Sequence, residues 1–265
     1  MSFSVLTGGG GLAGWAFLNR TGDRQRELVA NEGAVKVSAA HFRKNIGSVK
    51  SADDLLSDYR MLKVTLGAFG LQGDLANKAF IRKILESDLS DKGSLANRLS
   101  DKSYLRLAES FGLGAGSENM ISKAGFADGI ISRYVEREFE ARVGESDDKL
   151  RLALNARREL AGMADRSSTN DTKWYEVLGN SRLRKVFEGA FGFGSSYGKL
   201  PIDRQLKEFK AAAAKMFGTD NMAQFAGAHN VEKLMRNYLV RSSIETGAAT
   251  NRYATALTLL SPGSA

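Results

Sequence analysis

Apolar residues recur along this chain at helical intervals. Leu55, Tyr59, Leu62, Leu66 and Phe69 follow at steps of 4, 3, 4 and 3, one stripe of a helix that stops at Gly70. Ser51 stands three residues before Asp54, a capping pair with an acid in the first turn, where the helix dipole favours negative charge. Asp74 can cap a helix bearing Ala76, Phe80 and Ile84, and a helix over 102–111 carries Tyr104, Ala108 and Phe111 before Gly112. A longer one over 118–143 aligns Phe126, Ile130 and Tyr134 beside Ile131, Val135 and Phe139 and stops at Gly144. Ser146 opens a helix with Leu150, Ala153, Leu154, Leu160 and Ala161 on one face. Ile202, Leu206, Phe209, Ala213 and Met216 form another stripe, ended by Gly218. Two last helices are expected over 231–245 and 249–260, before Ser261-Pro262.

One stop signal is reused. Phe69-Gly70-Leu71, Phe111-Gly112-Leu113 and Phe191-Gly192-Phe193 share a pattern, with Phe217-Gly218 a partial fourth. Glycine takes the left-handed conformation after the last turn, and the apolar residue beyond folds back onto that turn. The spacings are too irregular for a solenoid. With no convincing pair of alternating strands, the pattern predicts an all-α protein, a compact multi-helix bundle of about ten helices. Residues 1–14, with the run Gly8–Gly11, read as a flexible Gly-rich arm, since glycine loses most entropy on ordering. Residues 15–50 read as an N-terminal segment of short helices, and 51–265 as the helical domain, with sub-lobes 51–166 and 167–265.

Composition narrows the function classes. A chain of 265 residues, 43% hydrophobic and 26% charged, has ample material for a core. The absence of cysteine excludes disulfides, a thiol nucleophile and thiolate metal sites. His41 and His229 lie too far apart in sequence for a helical zinc motif. Lys and Arg exceed Asp and Glu by 38 to 30, a net charge of +8, of which +5 falls in residues 167–265. Such a bias suits a solvated surface or an acidic partner, nucleic acid included. The longest basic cluster, Arg182-Leu-Arg184-Lys185, is only four residues long. The N-terminus lacks the basic and apolar regions of a secretory signal, and no run approaches the ~18 apolar residues a membrane helix needs. The expectation is a cytoplasmic protein without membrane insertion, unless an export machine that needs no cleavable signal recognises it.

Motifs of known chemistry fail on context. Gly9, Gly11 and Gly14 fit the dinucleotide-binding fingerprint literally, but that fingerprint works only inside a βαβ unit. The segment Gly192–Lys199 resembles a phosphate loop, yet Phe193 and Leu200 stand where a glycine and a magnesium-binding hydroxyl are required. Trp174 begins a tetratricopeptide-like string with the wrong spacing and reads as a core anchor. Asp53/Asp54 and Asp147/Asp148 sit where helices begin, and Glu136, Glu138 and Glu140 alternate on a face expected to be exposed. His229 reads as a loop residue before a capping Asn230, and His41 as a surface or satisfied core residue. No catalytic, cofactor-binding or metal-ligating residue is assigned, and the chain is read as no enzyme.

Polar residues lodged in apolar stripes are more informative. Asp58, Tyr59 and Arg60 place opposite charges around a stripe aromatic, Asn97 and Arg98 sit between Leu95 and Leu99, and Arg157 falls between Leu154 and Leu160. An arginine carries five donors in a rigid fork, so it can tie helix ends together or meet a partner protein.

The strings Ser51-Ala-Asp-Asp-Leu-Leu-Ser-Asp-Tyr-Arg60, Ala68-Phe-Gly-Leu71, Ala79-Phe-Ile-Arg82, Leu95-Ala-Asn-Arg-Leu99 and Ser110-Phe-Gly112 resemble an uncharacterised alphaproteobacterial family. Its members are all-helical domains of unknown function, often encoded among flagellar genes. The resemblance extends from about Trp15 to beyond Arg241 and assigns no catalytic or binding residue; Arg82, which ends the third string, stands with the candidate structural or interaction residues. It implies an association with motility or flagellar assembly, flagellar components as partners and, through signal-less export, a flagellum-associated location. Axial flagellar subunits carry heptad-patterned helices at both ends, whereas the first 20 residues here are glycine-rich, which favours an accessory factor. The combined reading is a non-enzymatic helical protein acting by protein–protein contact; the alternative is a basic nucleic-acid-binding protein.

Overall fold

Side-chain caps and glycine stops decide where the helices of this chain begin and end. In the computed structural model, residues 4–194 and 197–260 are described, with side chains described up to Ile244 in the last helix. Among the described residues there are thirteen α-helices and no strand. They are α1 (Gly11–Asn31), α2 (Gly33–Asn45), α3 (Ala52–Ser57), α4 (Tyr59–Phe69), α5 (Lys78–Leu85), α6 (Leu95–Arg98) and α7 (Lys102–Phe111). There follow α8 (Phe126–Ser146), α9 (Asp148–Ala164), α10 (Asn170–Gly179), α11 (Ser181–Phe191), α12 (Ile202–Phe217) and α13 (Ala228–Leu260).

The chain forms two compact units. The first comprises Met1–Leu6 with Asn19–Glu145, the second Thr7–Leu18 with Ser146–Ala265, so α1 contributes residues to both. In the first unit α2, α4, α5, α7 and α8 bury Phe42, Leu62, Leu66, Ile81, Ile84, Leu107, Phe111 and Phe139. Phe111 meets Phe126 edge-on at 5.2 Å. In the second unit α10, α11 and α12 converge on an aromatic cluster. Phe187 lies 5.5 Å from Trp174 and from Phe191, and 5.7 Å from Phe225, all edge-on, while Phe193 stacks on Tyr197 at 4.2 Å. Edge-to-face pairs suit the ring quadrupole and add to what apolar burial supplies.

The four glycine stops stand where the pattern put them. Gly70, Gly112, Gly192 and Gly218 all take left-handed backbone, with φ of 75°, 61°, 78° and 88°. Beyond two of them the amides of Leu71 and Phe193 donate back to the carbonyls of Leu66 and Glu188, closing the last turn.

Elsewhere the structure departs from the pattern. The stripe over 55–69 is two helices, because Asp58 adopts extended backbone and its carboxylate accepts from the amides of Arg60 and Met61. That break turns Tyr59 outward, 61% exposed. Asp74 caps nothing in α5, which begins at Lys78; its carboxylate instead accepts from Tyr104 Oη at 2.6 Å. The long helix begins at Phe126 and runs through Gly144 to Ser146, and Asp147, not Ser146, caps the next. The last two expected helices are one, α13, which passes through Gly247 without a break. Ile202 heads its stripe yet stays 46% exposed.

The glycine-rich segment is no detached arm: Gly8–Gly11 carry positive φ, and α1 begins at Gly11, where Gly14 donates to Gly10 O at 2.8 Å. Val5 and Trp15 on either side are buried. The units divide at residue 145/146 rather than at 166/167, at the point where Asp147 separates α8 from α9.

Candidate interaction surface

Most residues singled out from the sequence fall in the first unit, where Asp58 holds a helix end and Asn97 a turn while Tyr59 is exposed. Besides capping α4, Asp58 faces His41 Nε2 at 2.6 Å, and the other ring nitrogen of His41 lies 3.2 Å from Asn45 Nδ2. Burial alone would raise the Asp58 carboxyl; the Met61 amide, the His41 ring and the Arg60 amide outweigh it and hold the pKa below the ordinary value. Arg82 pairs with Asp53. Asn97 donates to the carbonyls of Leu89 and Asp91 at 3.1 and 2.8 Å, tying the turn that precedes α6. Arg60 and Arg98 are exposed. The structure does not gather these side chains into one site.

Charged residues on α8 form a cluster that periodicity did not reveal. The series Glu136, Glu138 and Glu140 is not an exposed face: Glu140 is 4% exposed, and Glu136 pairs with Arg26 at 2.5 Å. Arg142 pairs with Glu32, and Arg137 reaches the carbonyl of Phe69, the last residue of α4, at 3.4 Å. Burial pushes the Glu138 carboxyl above its ordinary value, with Lys63 and Arg142 opposing. Helix-end bracing by arginine therefore occurs at Arg137.

The second unit holds Arg157 and an open face. Arg157 lies over the Trp15 ring, 4.9 Å from its centroid, and the Trp15 indole N–H donates to both carboxylate oxygens of Glu232 at 2.8 and 2.9 Å. One side chain from each of α9, α1 and α13 is thereby linked. The fingerprint glycines end at a carboxylate of the same chain: Asp147 Oδ1 accepts from the amides of Lys149 and Leu150, and its Oδ2 from Gly11 N at 3.4 Å. The N-terminus of α1 thus faces a negative charge already.

Along α13, Ala228, His229, Glu232, Lys233, Arg236, Asn237 and Val240 line an open groove of about 590 Å³. Lys233 Nζ donates to the carbonyl of Met216 at 2.6 Å, and Asn237 donates back to Lys233 O. Val240 is 41% and Ile244 65% exposed, four residues apart on the continuation of this face. Sequence reading missed the surface by ending a helix at 245 and placing His229 in a loop; it lies in the first turn of α13. The available signal was two apolar residues four apart with basic residues at 233 and 236. Among the described residues, no group of three His, Asp or Glu could hold a metal ion, and no helix is long and apolar enough to cross a membrane.

A family model described as a protein of unknown function (DUF1217) matches residues 68–237, more than half of the chain. The chain belongs to the DUF1217 family. The match spans α5 to α12 complete and takes in most of the groove residues on α13. A crystal structure of an Agrobacterium tumefaciens protein is similar, with TM-score 0.75 and 24% identity over 92% of this chain and 97% of that one. At that identity the likeness establishes the DUF1217 chain's fold alone. No curated protein matches the chain.

Proposed function

We propose that this DUF1217 protein is a non-enzymatic helical accessory factor that works by protein–protein contact, in flagellar assembly or function as the family resemblance implies. The observation that carries the reading is the face of α13, where exposed Val240 and Ile244 continue a groove lined by Lys233 and Arg236. Apolar area beside cations favours a protein ligand over a small metabolite. The polar residues picked out within the apolar stripes support it too, since Asp58 and Asn97 hold helix ends and turns rather than facing a common cleft. The test is an in-frame deletion in the native bacterium, with swimming and filament number as readouts. The reading expects impaired swimming restored by the intact gene; normal swimming with intact filaments overturns it.

A second reading, nucleic-acid binding, rests on charge. Residues 146–265 carry 18 Lys and Arg against 12 Asp and Glu, a net +6. Phosphate binding should fall steeply with salt, so DNA or RNA binding that weakens sharply between low and physiological salt would favour it. Absent or salt-independent binding rules it out.

A further inference from the structure

His229, Lys233, Arg236, Val240 and Ile244 succeed one another at steps of 4, 3, 4 and 4, a single stripe along α13. It extends for about 22 Å at the helical rise of about 1.5 Å per residue. Its first half is the open groove and its second half is exposed aliphatic surface.

The charges in the stripe are not balanced. Glu232 is the acid among the groove residues, and both its oxygens accept from the Trp15 indole. Lys233 donates to the carbonyl of Met216 in the last turn of α12 and lies 5.6 Å from the centroid of the Phe217 ring, and it faces no carboxylate in either contact. Among the described residues Arg236 makes no ion pair and is exposed. The groove therefore offers cations at one end and aliphatic side chains at the other, on a unit with an excess of positive charge.

We propose that this stripe is the docking site for an acidic amphipathic helix of a partner protein, laid along α13. Its carboxylates meet Lys233 and Arg236, and its apolar residues, three and four apart, cover Val240 and Ile244. Helix-on-groove recognition uses this spacing of anchors. A second copy of the chain fits less well: a parallel two-fold contact through the stripe would set Lys233 and Arg236 against their own kind, and an antiparallel one would set them against Val240 and Ile244, so neither brings a carboxylate of the stripe to them. Nucleic acid would leave Val240 and Ile244 with no apolar partner. The proposal rests on the protein–protein reading above and gives it a place and a chemistry.

Photocrosslinking in the native bacterium tests both separately. A benzophenone amino acid replaces Ile244 or Val240 in the full chain, and exposed Tyr59 in the first unit serves as a comparison position; crosslinked peptides are identified by mass spectrometry. The expected result is a crosslink from 244 and 240 to one protein segment with net negative charge and apolar residues at helical spacing. In the Arg236→Glu background, with folding checked by circular dichroism, that crosslink should fall at least about tenfold, the effect of roughly 1.4 kcal/mol. A crosslink to a second copy, to nucleic acid or to a basic or extended segment overturns the proposal. So does an unchanged yield with Arg236→Glu. Crosslinks from 59 with none from 240 or 244 overturn the site and leave the protein–protein reading standing; none from any position counts against both.

Discussion

The interiors of the two units draw on the same materials in different proportion: both bury aromatic rings and charged side chains, Glu159 and Lys173 among the latter in the second unit, but the larger ring cluster lies in the second and the arginine–carboxylate series in the first. In the second, Trp174, Phe187, Phe209 and Phe225 are buried together, and the rings meet at 5.5 to 6.3 Å. In the first, α8 carries Arg137, Glu140 and Arg142 into the interior beside Tyr134 and Phe139. Aromatic packing is insensitive to pH and tolerates no loss of volume. A charged interior is sensitive to pH and to the loss of either partner, yet a matched apolar replacement of both can be neutral. The same helical grammar thus encloses one interior in which ring packing carries most and another in which buried arginine–carboxylate pairs add a sensitivity to charge.

Four experiments would break or sharpen that contrast, read by hydrogen exchange so that each unit reports separately. Trp174→Ala should have the largest effect, about 4 kcal/mol, with protection lost first in α10 to α12. Loss confined to α8 would contradict the aromatic account. Arg142→Met should cost about 3 kcal/mol by stranding Glu32, and adding Glu32→Leu should restore most of it. If the double variant is no better than the single, the pair is not the weak point.

Two glycine stops then compare backbone with packing. A Cβ at Gly112 would collide with the Glu118 carbonyl, whereas one at Gly218 meets nothing within 4 Å. Gly218→Ala should cost about 1 kcal/mol, the left-handed strain alone, and Gly112→Ala clearly more. Equal losses of exchange protection in the two units would remove the role given to the Glu118 contact. The smallest effect belongs to Glu138→Gln. Because burial raises this carboxyl in the folded state, the protonated form is favoured there, and stability declines as pH rises through the raised value. The amide variant should therefore be the more stable at neutral pH, with the gain vanishing in acid. A gain that persists in acid would locate the effect elsewhere.

How far the sequence could be read depended on whether a feature is local. Gly70, Gly112, Gly192 and Gly218 were legible because a left-handed stop needs only glycine after an apolar turn. The capping box of Ser51 and Asp54 was legible for the same reason. The break at Asp58 was not, since the stripe around it fits an unbroken helix, and the cap wins only because two amides bind one carboxylate. Glu140 looked like a solvent-facing acid until buried Arg137 was found beside it, at 3.9 Å. The α13 face was hidden by Gly247, a residue that ends helices elsewhere and is carried through here. Asp58, Asn97 and Arg157 were visible as polar residues within apolar stripes, but the partners that define their roles lie 17, 8 and 142 positions away in sequence.

The most direct test of the central claim, that the chain works through the exposed face of α13, is swimming by cells whose chromosomal copy carries Val240→Asp and Ile244→Asp. The account predicts motility reduced to the level of the deletion strain at normal protein abundance, with Tyr59→Asp swimming normally. Full motility of the double variant would contradict it.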